Sequence, residues 1–525
     1  MTACKTEETN DANLDSGGPV VNPADSGAGT DSTPGSDSGP RADGVIRELA
    51  FHQLTVQAQH VPAVVPQLSR DGKKIAWSVR QGGSSPNLVF TMDADGSNIK
   101  QVDSYVPLCN CNSEVAINDD GTVVASTDGV QTRILDAATG SIKNKIEFTD
   151  GVTSQLRLTA SGGDLYMLNA RDVGTFSRGV LKLSAAGGLP TQVIDATAAA
   201  AAAGTTADHI GNFASCNAGL GVSADGSKIV TVARKDAGTV VLTHSSGQTK
   251  LLFSPPGDNF IASLNISKDG SLVAYHAGTS TPAGGEYGVV GFDGSNQKVL
   301  GEASIGDACS APVSITDDNK IMNLGHTSMV VNTDGSGDPW PVIAPTGVYT
   351  GTGSFYQVGE PDSRNSRVMS MSGDGKRFLY LNNDAALPAH IAIAELDSRT
   401  LGAVPTVSSP RVSVASINRD TATVNGKRAA ITATGPAKDA FLGSVMFTKG
   451  QVENTGISSA SYPLLDDGKE PDPTAGDGNF TTGERVFAGP SATVGPRVLR
   501  VKAETKAADG KRSGHALDFG PFAVE

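Results

Sequence analysis

The sequence lacks the patterns that mark several large classes of protein. No apolar run approaches the roughly 20 residues of a bilayer-spanning helix, and long stretches of helical periodicity are nearly absent. The chain has 41 basic and 55 acidic residues, a net charge of −14, without a basic cluster. Nucleic-acid binding is therefore disfavoured, because contact with phosphates needs a positive surface.

Sequence signatures of catalysis are missing as well. The eight histidines form no His-x-His or His-Glu-x-x-His cluster, so a metalloenzyme has no support. The Gly-x-Ser-x-Gly nucleophile elbow that a peptidase of the prolyl-oligopeptidase type needs is also absent. A catalytic function stays open, but the sequence nominates no residue for it.

What the chain does contain is a recurring phrase: a small polar residue, then Asp-Gly or a close variant, then an apolar run. Asp-Gly between apolar runs predicts a β-hairpin, because Gly accepts positive φ and Asp bonds its own local backbone. The seven copies are Ser69–Trp77, Asn118–Ala125, Ser223–Val230, Ser267–Tyr275 and Ser372–Tyr380, with degenerate ones at Ala160–Tyr166 and Thr316–Met322.

The spacing of these copies predicts the architecture. They lie about 42 to 63 residues apart, which brackets the roughly 40 to 50 residues of a four-stranded propeller blade. A second turn follows most copies, so each period holds four strands. Because one such sheet cannot bury both faces alone, the sheets must stack around an axis. The sequence predicts an all-β fold with a seven-bladed β-propeller at 44–402; six or eight blades are alternatives, because Val45–Thr55 offers a closing strand for the final blade.

After Asp397 the pattern changes. Pro405–Pro410 resembles a linker, and residues 411–525 hold several short apolar runs within little more than 100 residues. These runs predict a small β-sandwich of immunoglobulin-like type.

An acidic loop, Asp466–Thr481, lies between two of these predicted strands. Its Asp-Asp-Gly, followed by Ala-Gly-Asp-Gly and an aromatic residue, resembles a loop of immunoglobulin-like domains in bacterial surface proteins, with Pro471 where Gly is usual. Two interpretations stand. The loop binds Ca²⁺, the one cofactor that the sequence suggests, or its Asp side chains cap backbone N–H groups. The candidate ligands are Asp466, Asp467, Asp472 and Asp477.

The repeats resemble a known family. Leu68–Trp77, followed by Thr91–Ser97, is similar to the TolB-like, WD-repeat-like β-propeller repeats of bacterial envelope proteins, over about residues 45 to 400. The resemblance implies the fold. It implies little about activity, because propellers host binding scaffolds, lactonases, phytases and peptidase gating domains alike.

The first 43 residues differ in composition from the rest. Met1-Thr-Ala-Cys4 resembles the end of a bacterial lipobox, whose cysteine is acylated. Residues 1–43 carry eight acids against two bases and hardly an apolar side chain, so they are expected to form a flexible tether. The prediction is an exported protein of the outer membrane, periplasm or cell surface, held at the membrane only by a lipid on Cys4. The alternative is a disordered terminus with an incidental cysteine.

The remaining four cysteines are candidates for disulfides, since exported proteins tend to pair their thiols. They are Cys109, Cys111, Cys216 and Cys309. The last three stand nine residues before the turn position of blades two, four and six, near the mouth of the predicted channel. Free buried thiols are one alternative, and a metal site is the least favoured, because no histidine stands at ligand-like spacing.

Arginines recur on the face of the propeller that carries the predicted channel mouth. Arg80, Arg171 and Arg234 stand nine residues after the turn position of blades one, three and four. They are predicted either to bind a carboxylate or phosphate on a partner or, as the favoured alternative, to form a solvated rim. His276 and His326, on the second strands of blades five and six, are predicted to line a groove or to pack within the propeller.

Together these features favour non-catalytic binding of an envelope protein or a glycan through the propeller rim and channel mouth. The rival hypothesis is a lactonase-like hydrolase with its site in the central channel. Convergent carboxylates with histidine in the channel would favour the enzyme, and small polar residues would favour the binding protein.

Overall fold

The chain folds almost entirely as antiparallel β-structure. The computed structural model describes 41–42, 44–57, 66–80, 87–105, 114–148, 153–169, 176–206, 219–235, 238–255, 260–278, 285–303, 313–323, 329–336, 340–341, 348–349, 355–356, 366–382, 390–396, 406–418, 429–435, 441–448, 461–466, 468, 474–481, 494–506 and 511–525. Residues 40–525 make one compact unit. In the described residues, no helix is long and apolar enough to cross a membrane.

Two strands precede three consecutive four-stranded sheets. The first two are β1 (Arg41–Ala42) and β2 (Gly44–Gln57). Blade one has β3 (Gln67–Leu68), β4 (Lys74–Arg80), β5 (Asn87–Asp93) and β6 (Lys100–Tyr105). Blade two has β7 (Glu114–Ile117), β8 (Val123–Thr127), β9 (Gln131–Asp136) and β10 (Ile142–Glu147). Blade three has β11 (Thr153–Leu158), β12 (Asp164–Asn169), β13 (Gly179–Ser184) and β14 (Thr191–Asp195), and helix α1 (Ala196–Ala203) follows.

Three more sheets repeat the pattern. Blade four has β15 (Leu220–Val222), β16 (Lys228–Lys235), β17 (Gly238–Ser245) and β18 (Gln248–Phe253). Blade five has β19 (Phe260–Ile266), β20 (Leu272–Gly278), β21 (Gly285–Gly291) and β22 (Lys298–Ala303). Blade six has β23 (Ser314–Ile315), β24 (Ile321–Asn323), β25 (Met329–Asn332) and β26 (Trp340–Pro341). The hairpin β27 (Val348–Tyr349) and β28 (Phe355–Tyr356) comes next.

Blade seven combines two distant parts of the chain. Its first three strands are β29 (Ser366–Met371), β30 (Arg377–Asn382) and β31 (His390–Leu396). Its fourth strand is β2, whose Phe51–Gln57 pairs antiparallel with β31. The sequence predicted this closing role for Val45–Thr55, and the pairing sets the number of blades at seven.

Contacts between neighbouring hairpin turns close the ring. The residue before the turn Asp bonds to its equivalent in the next blade, as in Asp119 N to Ala160 O at 3.3 Å and Ala160 N to Ala224 O at 2.9 Å. The last junction returns to the first blade, where Gly373 N donates to Arg70 O at 2.7 Å. The predicted propeller is therefore confirmed as a closed structure. We call the side that carries these turns the turn face.

Residues of the recurring phrase form the hydrogen bonds that hold its turn. In blade one, Ser69 Oγ donates to Asp71 Oδ1 at 2.7 Å, and Asp71 Oδ1 accepts the N–H of Lys73 at 3.0 Å. Gly72 has φ of 73°, and a Cβ there would lie 2.9 Å from Cδ of Arg377 in blade seven. Gly therefore serves the turn conformation and the close approach of the next blade.

Apolar clusters join the blades in pairs, as expected for a stacked propeller. Trp77 of blade one, for example, packs in one cluster with Ile391 and Ile393 of blade seven. Helix α1, formed by the alanine run, buries four alanines in the cluster that joins blades three and four. Its N-cap is Asp195, whose side chain accepts the N–H of Ala198 at 2.7 Å.

The C-terminal strands form a β-sandwich. They are β32 (Ser408–Val412), β33 (Ser416–Ile417), β34 (Ile431–Thr434), β35 (Phe441–Thr448), β36 (Ser461–Leu464), β37 (Asn479–Thr481), β38 (Gly495–Lys506) and β39 (Arg512–Val524). One sheet has the order β1-β32-β34-β37, and the other runs β2-β39-β38-β35-β36. Buried side chains of both sheets form one core, which includes Ile431, Leu499 and Phe519.

Strand β2 belongs to both domains. Gly44–His52 pairs with β39 of the sandwich, and Phe51–Gln57 pairs with β31 of blade seven. The two sheets therefore continue into one nine-stranded sheet. The sandwich includes β1 and the first part of β2 in addition to the strands after Pro405.

Candidate functional site in the central channel

The innermost strands of all seven blades surround one cavity. It measures about 140 Å³, and residues of β3, β7, β11, β15, β19, β23 and β29 line it. The uncharged polar side chains of this lining are Gln67, Asn265, Ser314 and Ser370. Because each blade contributes its first strand, this cavity is the central channel of the propeller.

Four charged side chains meet at the turn end of the channel, and we call them the channel floor. Arg70 Nε lies 2.5 Å from Asp317 Oδ1, which joins blades one and six. Lys268 Nζ lies 3.3 Å from Asp119 Oδ2 and 3.1 Å from Asp317 Oδ2. Lys268 is in blade five and Asp119 in blade two, so this pair spans the channel. Two positive and two negative charges thus neutralise one another at the turn face.

The floor affects the titration of its lysine. Desolvation of Lys268 lowers its pKa, but Asp317 and Asp119 outweigh that effect, and the pKa is raised above its ordinary value. Arg70 adds a hydrogen bond from Nη2 to the carbonyl oxygen of Ile315 at 3.0 Å. These contacts hold the floor residues in place and keep the lysine charged.

A second group of polar residues lies in the channel wall between blades two and three. The register of β11 against β12 shifts between Ser154 and Arg157, and Gln155 between them has φ of 57°. This is a β-bulge with a non-glycine residue in the left-handed region, a conformation that is strained. The Gln155 side chain accepts the N–H of Gly219 at 2.6 Å, which fixes the bulge to blade four.

The bulge brings a carboxylate and a guanidinium close together. Glu114, at the start of β7, is buried, and its Oε2 accepts the N–H of Leu156 at 3.1 Å. Arg157 lines the cavity, and its Nη1 donates to the carbonyl oxygen of Leu156 at 2.8 Å. Burial raises the pKa of Glu114, and the charge of Arg157 opposes that rise. Burial lowers the pKa of Arg157, and Glu114 opposes that change.

Neither the floor nor the wall was predicted from the sequence. A signal for the floor exists, because the residue before the turn Asp is charged in four copies and is Ala or Gly in the other three. The wall has no comparable signal. Glu114 and Arg157 do not share a position in the repeat, and the bulge that places Arg157 depends on tertiary contacts.

The structure places only part of the predicted rim. Arg80 ends β4, and Arg234 is exposed near the end of β16, so both stand at the end of a second strand that faces away from the turn face. The side chain of Arg80 is not described, and Arg171 and His326 lie outside the described residues. A ligand-binding role of these residues stays a prediction.

His276 does not belong to the rim. It is 2% exposed on β20, and its ring stacks on Tyr287 of β21 with centroids 4.3 Å apart. Its position corresponds to the packing alternative. A ligand-binding role of His276 stays a prediction.

The cysteine predictions lie outside the described residues. Neither the proposed acylation site, Cys4, nor any of the four disulfide candidates falls within the described ranges. In those ranges, no group of three or more His, Cys, Asp or Glu residues is arranged to hold a metal ion.

The acidic loop of the sandwich is described in part. Asp466 Oδ1 accepts the N–H of Gly476 at 2.5 Å, and its Oδ2 accepts the N–H of Gly478 at 2.9 Å. Asp477 accepts the N–H of Asn479 at 2.8 Å. These bonds match the interpretation in which Asp side chains cap backbone groups. Asp467 and Asp472 lie outside the described residues, so calcium binding stays a prediction.

Comparisons with known proteins give no family. No family model matches the chain, and no curated protein matches it. Among solved structures, it is similar to the β-propeller domain of Myceliophteria thermophila Cps50 (Swd1), with 10% identity and a TM-score of 0.43 over 66% of this chain and 99% of that one. It is also similar to an oligogalacturonate lyase in complex with manganese, with 12% identity and a TM-score of 0.42 over 67% of this chain and 92% of that one. Structural similarity at this level supports no inference about function, and the architecture is established by the strand pairing.

Proposed function

We propose that this protein is a non-catalytic binding protein of the bacterial cell envelope that recognises a protein or glycan through the propeller rim opposite the turn face. The observation that carries the proposal is the channel floor. Its lysine and arginine are already paired with carboxylates across the channel, at 2.5 to 3.3 Å. Charged groups held in mutual pairs are already neutralised and present no free charge to a substrate.

The lining of the channel supports the same proposal. Apart from the charged residues, its polar side chains are amides and hydroxyls, and histidine is absent from the described lining. The lactonase-like alternative draws on one observation, the raised pKa of Glu114. Glu114 accepts a backbone N–H and is not among the residues that line the cavity, which favours a role in fixing the bulge.

The proposal extends to the rest of the chain. Acylation of Cys4 would anchor the protein, with residues 5–43 as the tether. The immunoglobulin-like assignment of the sandwich draws support from its strand order, β32-β34-β37 in one sheet and β39-β38-β35-β36 in the other, with β33 parallel to β39. Mass spectrometry of the membrane-fraction protein tests the anchor, and an unmodified Cys4 thiol would contradict it.

Site-specific photo-crosslinking tests the rim. A photo-reactive residue at Arg234 is compared with one at Ser227, because these exposed positions flank opposite ends of β16: Ser227 lies directly before the strand and Arg234 near its end. With envelope extract of the producing cells and a polysaccharide array as sources of partner, we expect specific adducts from position 234 alone. Adducts from Ser227 at equal yield, or turnover of lactone substrates by the full chain, would contradict the proposal.

A further inference from the structure

We propose that the channel cavity is a binding site for a small carboxylate, held by the guanidinium of Arg157. The site goes beyond the rim function proposed above, and the two stand independently. Its central observation is a cation that lines the channel cavity with part of its hydrogen-bonding capacity unused.

Arg157 makes one hydrogen bond to the described residues, from Nη1 to the carbonyl oxygen of Leu156. Its Nε and Nη2 donate to no described residue. These two groups form one edge of the guanidinium plane and present parallel N–H donors. A carboxylate matches that edge with two oxygens in a bidentate pair.

The other charges around the cavity make Arg157 distinctive. Arg70 and Lys268 also line it, but both are already in ion pairs of the channel floor. Among the described residues, no carboxylate lies within ion-pair distance of Arg157, although Glu114 interacts with it electrostatically. One negative charge on a ligand therefore matches the one cation that lacks a direct counterion, and a dianion would leave an unmatched charge.

The surrounding structure holds the guanidinium in place. Gln155, strained at φ of 57°, is fixed by its bond to Gly219, and Glu114 accepts the N–H of Leu156. Arg157 is thereby attached to a bulge that two neighbouring blades support. Strain of this kind is concentrated at functional sites, because the surrounding structure must hold it.

The cavity limits the size of the ligand. A volume of about 140 Å³ is close to the roughly 150 Å³ of a cavity that holds benzene. The site therefore fits a carboxylate with roughly four to eight non-hydrogen atoms. Two sources supply this chemistry: a free aliphatic carboxylate, or the side chain of an acidic residue that a partner inserts into the channel.

Glu114 gives the site a pH dependence. Burial favours the neutral form of Glu114, and the ionised form competes with a ligand for Arg157. The other ionisable side chains at the described cavity are those of the floor, and these pair with one another. Above about pH 6, where the carboxyl of the ligand itself stays ionised, binding is expected to tighten as pH falls and Glu114 takes up a proton.

Calorimetric titration of the full-length protein tests the site. The probes are butyrate, neutral butyramide of the same shape, inorganic phosphate, and a blocked Ala-Glu-Ala peptide. We expect one butyrate or one peptide per chain, no heat from butyramide, and weaker binding of phosphate. Tighter binding of the peptide would assign the carboxylate to a partner, and tighter binding of butyrate would assign it to a free molecule.

Variants give the decisive comparison. Arg157→Gln should weaken carboxylate binding at least about tenfold, and Lys145→Gln, exposed on the outer strand of blade two, should leave it unchanged. Above about pH 6, where the probes stay ionised, Glu114→Gln should retain binding and lose its pH dependence. If Arg157→Gln does not fold, Arg157→Lys replaces it, with a smaller loss expected because an ammonium cannot form the bidentate pair. Absence of carboxylate binding to the native chain, equal binding of butyramide or phosphate, or native affinity in both Arg157 variants would overturn the proposal.

Discussion

Six blades of the propeller come from one continuous stretch of chain each, and the seventh does not. In blades one to six the four strands follow one another, so each sheet consists of local hairpins. Blade seven takes three strands from Ser366–Leu396 and the fourth from β2, more than 300 residues earlier. A continuous blade needs only short loop closures, whereas blade seven needs distant parts of the chain to meet.

The composite blade is also the one that contacts the second domain. At Phe51 and His52, β2 is paired on both sides, with Leu396 and Glu395 of β31 and with Gly514 and Ser513 of β39. The outer edge of blade seven is therefore covered by the sandwich. Ring closure and sandwich folding share one strand, so we expect the propeller and the sandwich to unfold together.

Two matched core substitutions give the largest expected effect. Ile393 and Ile134 are both fully buried in the third strand of a blade, the first in blade seven and the second in blade two. Ile393→Ala and Ile134→Ala should each lower the free energy of unfolding by about 2 to 5 kcal/mol. Urea unfolding followed by tryptophan fluorescence and circular dichroism measures both. A separate early transition in Ile393→Ala alone would show that blade seven opens independently.

Proline in the shared strand should have a comparable but slightly smaller effect. Phe51→Pro removes a backbone donor at a position with partners on both sides and should cost about 3 kcal/mol. The control is Lys145→Pro in β10, which lies at the edge of blade two and pairs only with β9. We expect a smaller loss for the control. Equal losses would mean that double pairing of β2 adds nothing to stability.

The junctions between turns allow a finer comparison. Arg377 Nη1 donates to Gly72 O at 2.8 Å where blade seven meets blade one, and Lys228 Nζ donates to Gly270 O at 3.1 Å between blades four and five. These residues occupy the same position in the phrase. Arg377→Gln and Lys228→Gln should each cost about 0.5 to 1.5 kcal/mol by chemical denaturation. The loss should be larger for Arg377, because its Nη2 also lies 3.4 Å from Glu395 Oε2. A larger loss for Lys228→Gln would count against a special role of the closing junction.

Acid sensitivity of the turns is the smallest predicted effect. The backbone N–H of Ser227 and the hydroxyls of Ser223 and Ser227 lower the pKa of Asp225 to about 2. Because the folded-state pKa lies below the unfolded value, this stabilisation is complete above about pH 4 and is lost as pH falls through about 2. Solvent screens the exposed carboxylate, so the effect is small.

Substitution isolates this titration. The stability difference between the native chain and Asp225→Asn should shrink between about pH 4 and pH 2, as measured by urea midpoints. Asp269→Asn should behave alike, since the pKa of Asp269 is also lowered to about 2. A difference that stays constant over this range would contradict the assignment.

The sequence predicted the propeller because its signal is local. A turn phrase such as Ser69–Gly72 encodes its own hydrogen bonds, and seven such phrases at blade-like spacing require a ring. The closing strand was predictable for the same reason, since an apolar run stood unused before the first phrase. The pairing of this strand with β39 was not predictable, because nothing near Gly44–His52 indicates a partner almost 470 residues later.

The candidate site likewise has features that local sequence predicts and features that depend on tertiary contacts. Sequence by itself determined the blade repeat, the turn chemistry and the position of Arg234 at the end of a second strand. Tertiary structure alone decided that Arg70 and Lys268 meet carboxylates from other blades, that His276 is enclosed, and that Glu114 lies beside Arg157. Hairpin turns depend on interactions over a few residues, whereas these pairs depend on blades whose spacing is set only when the ring closes.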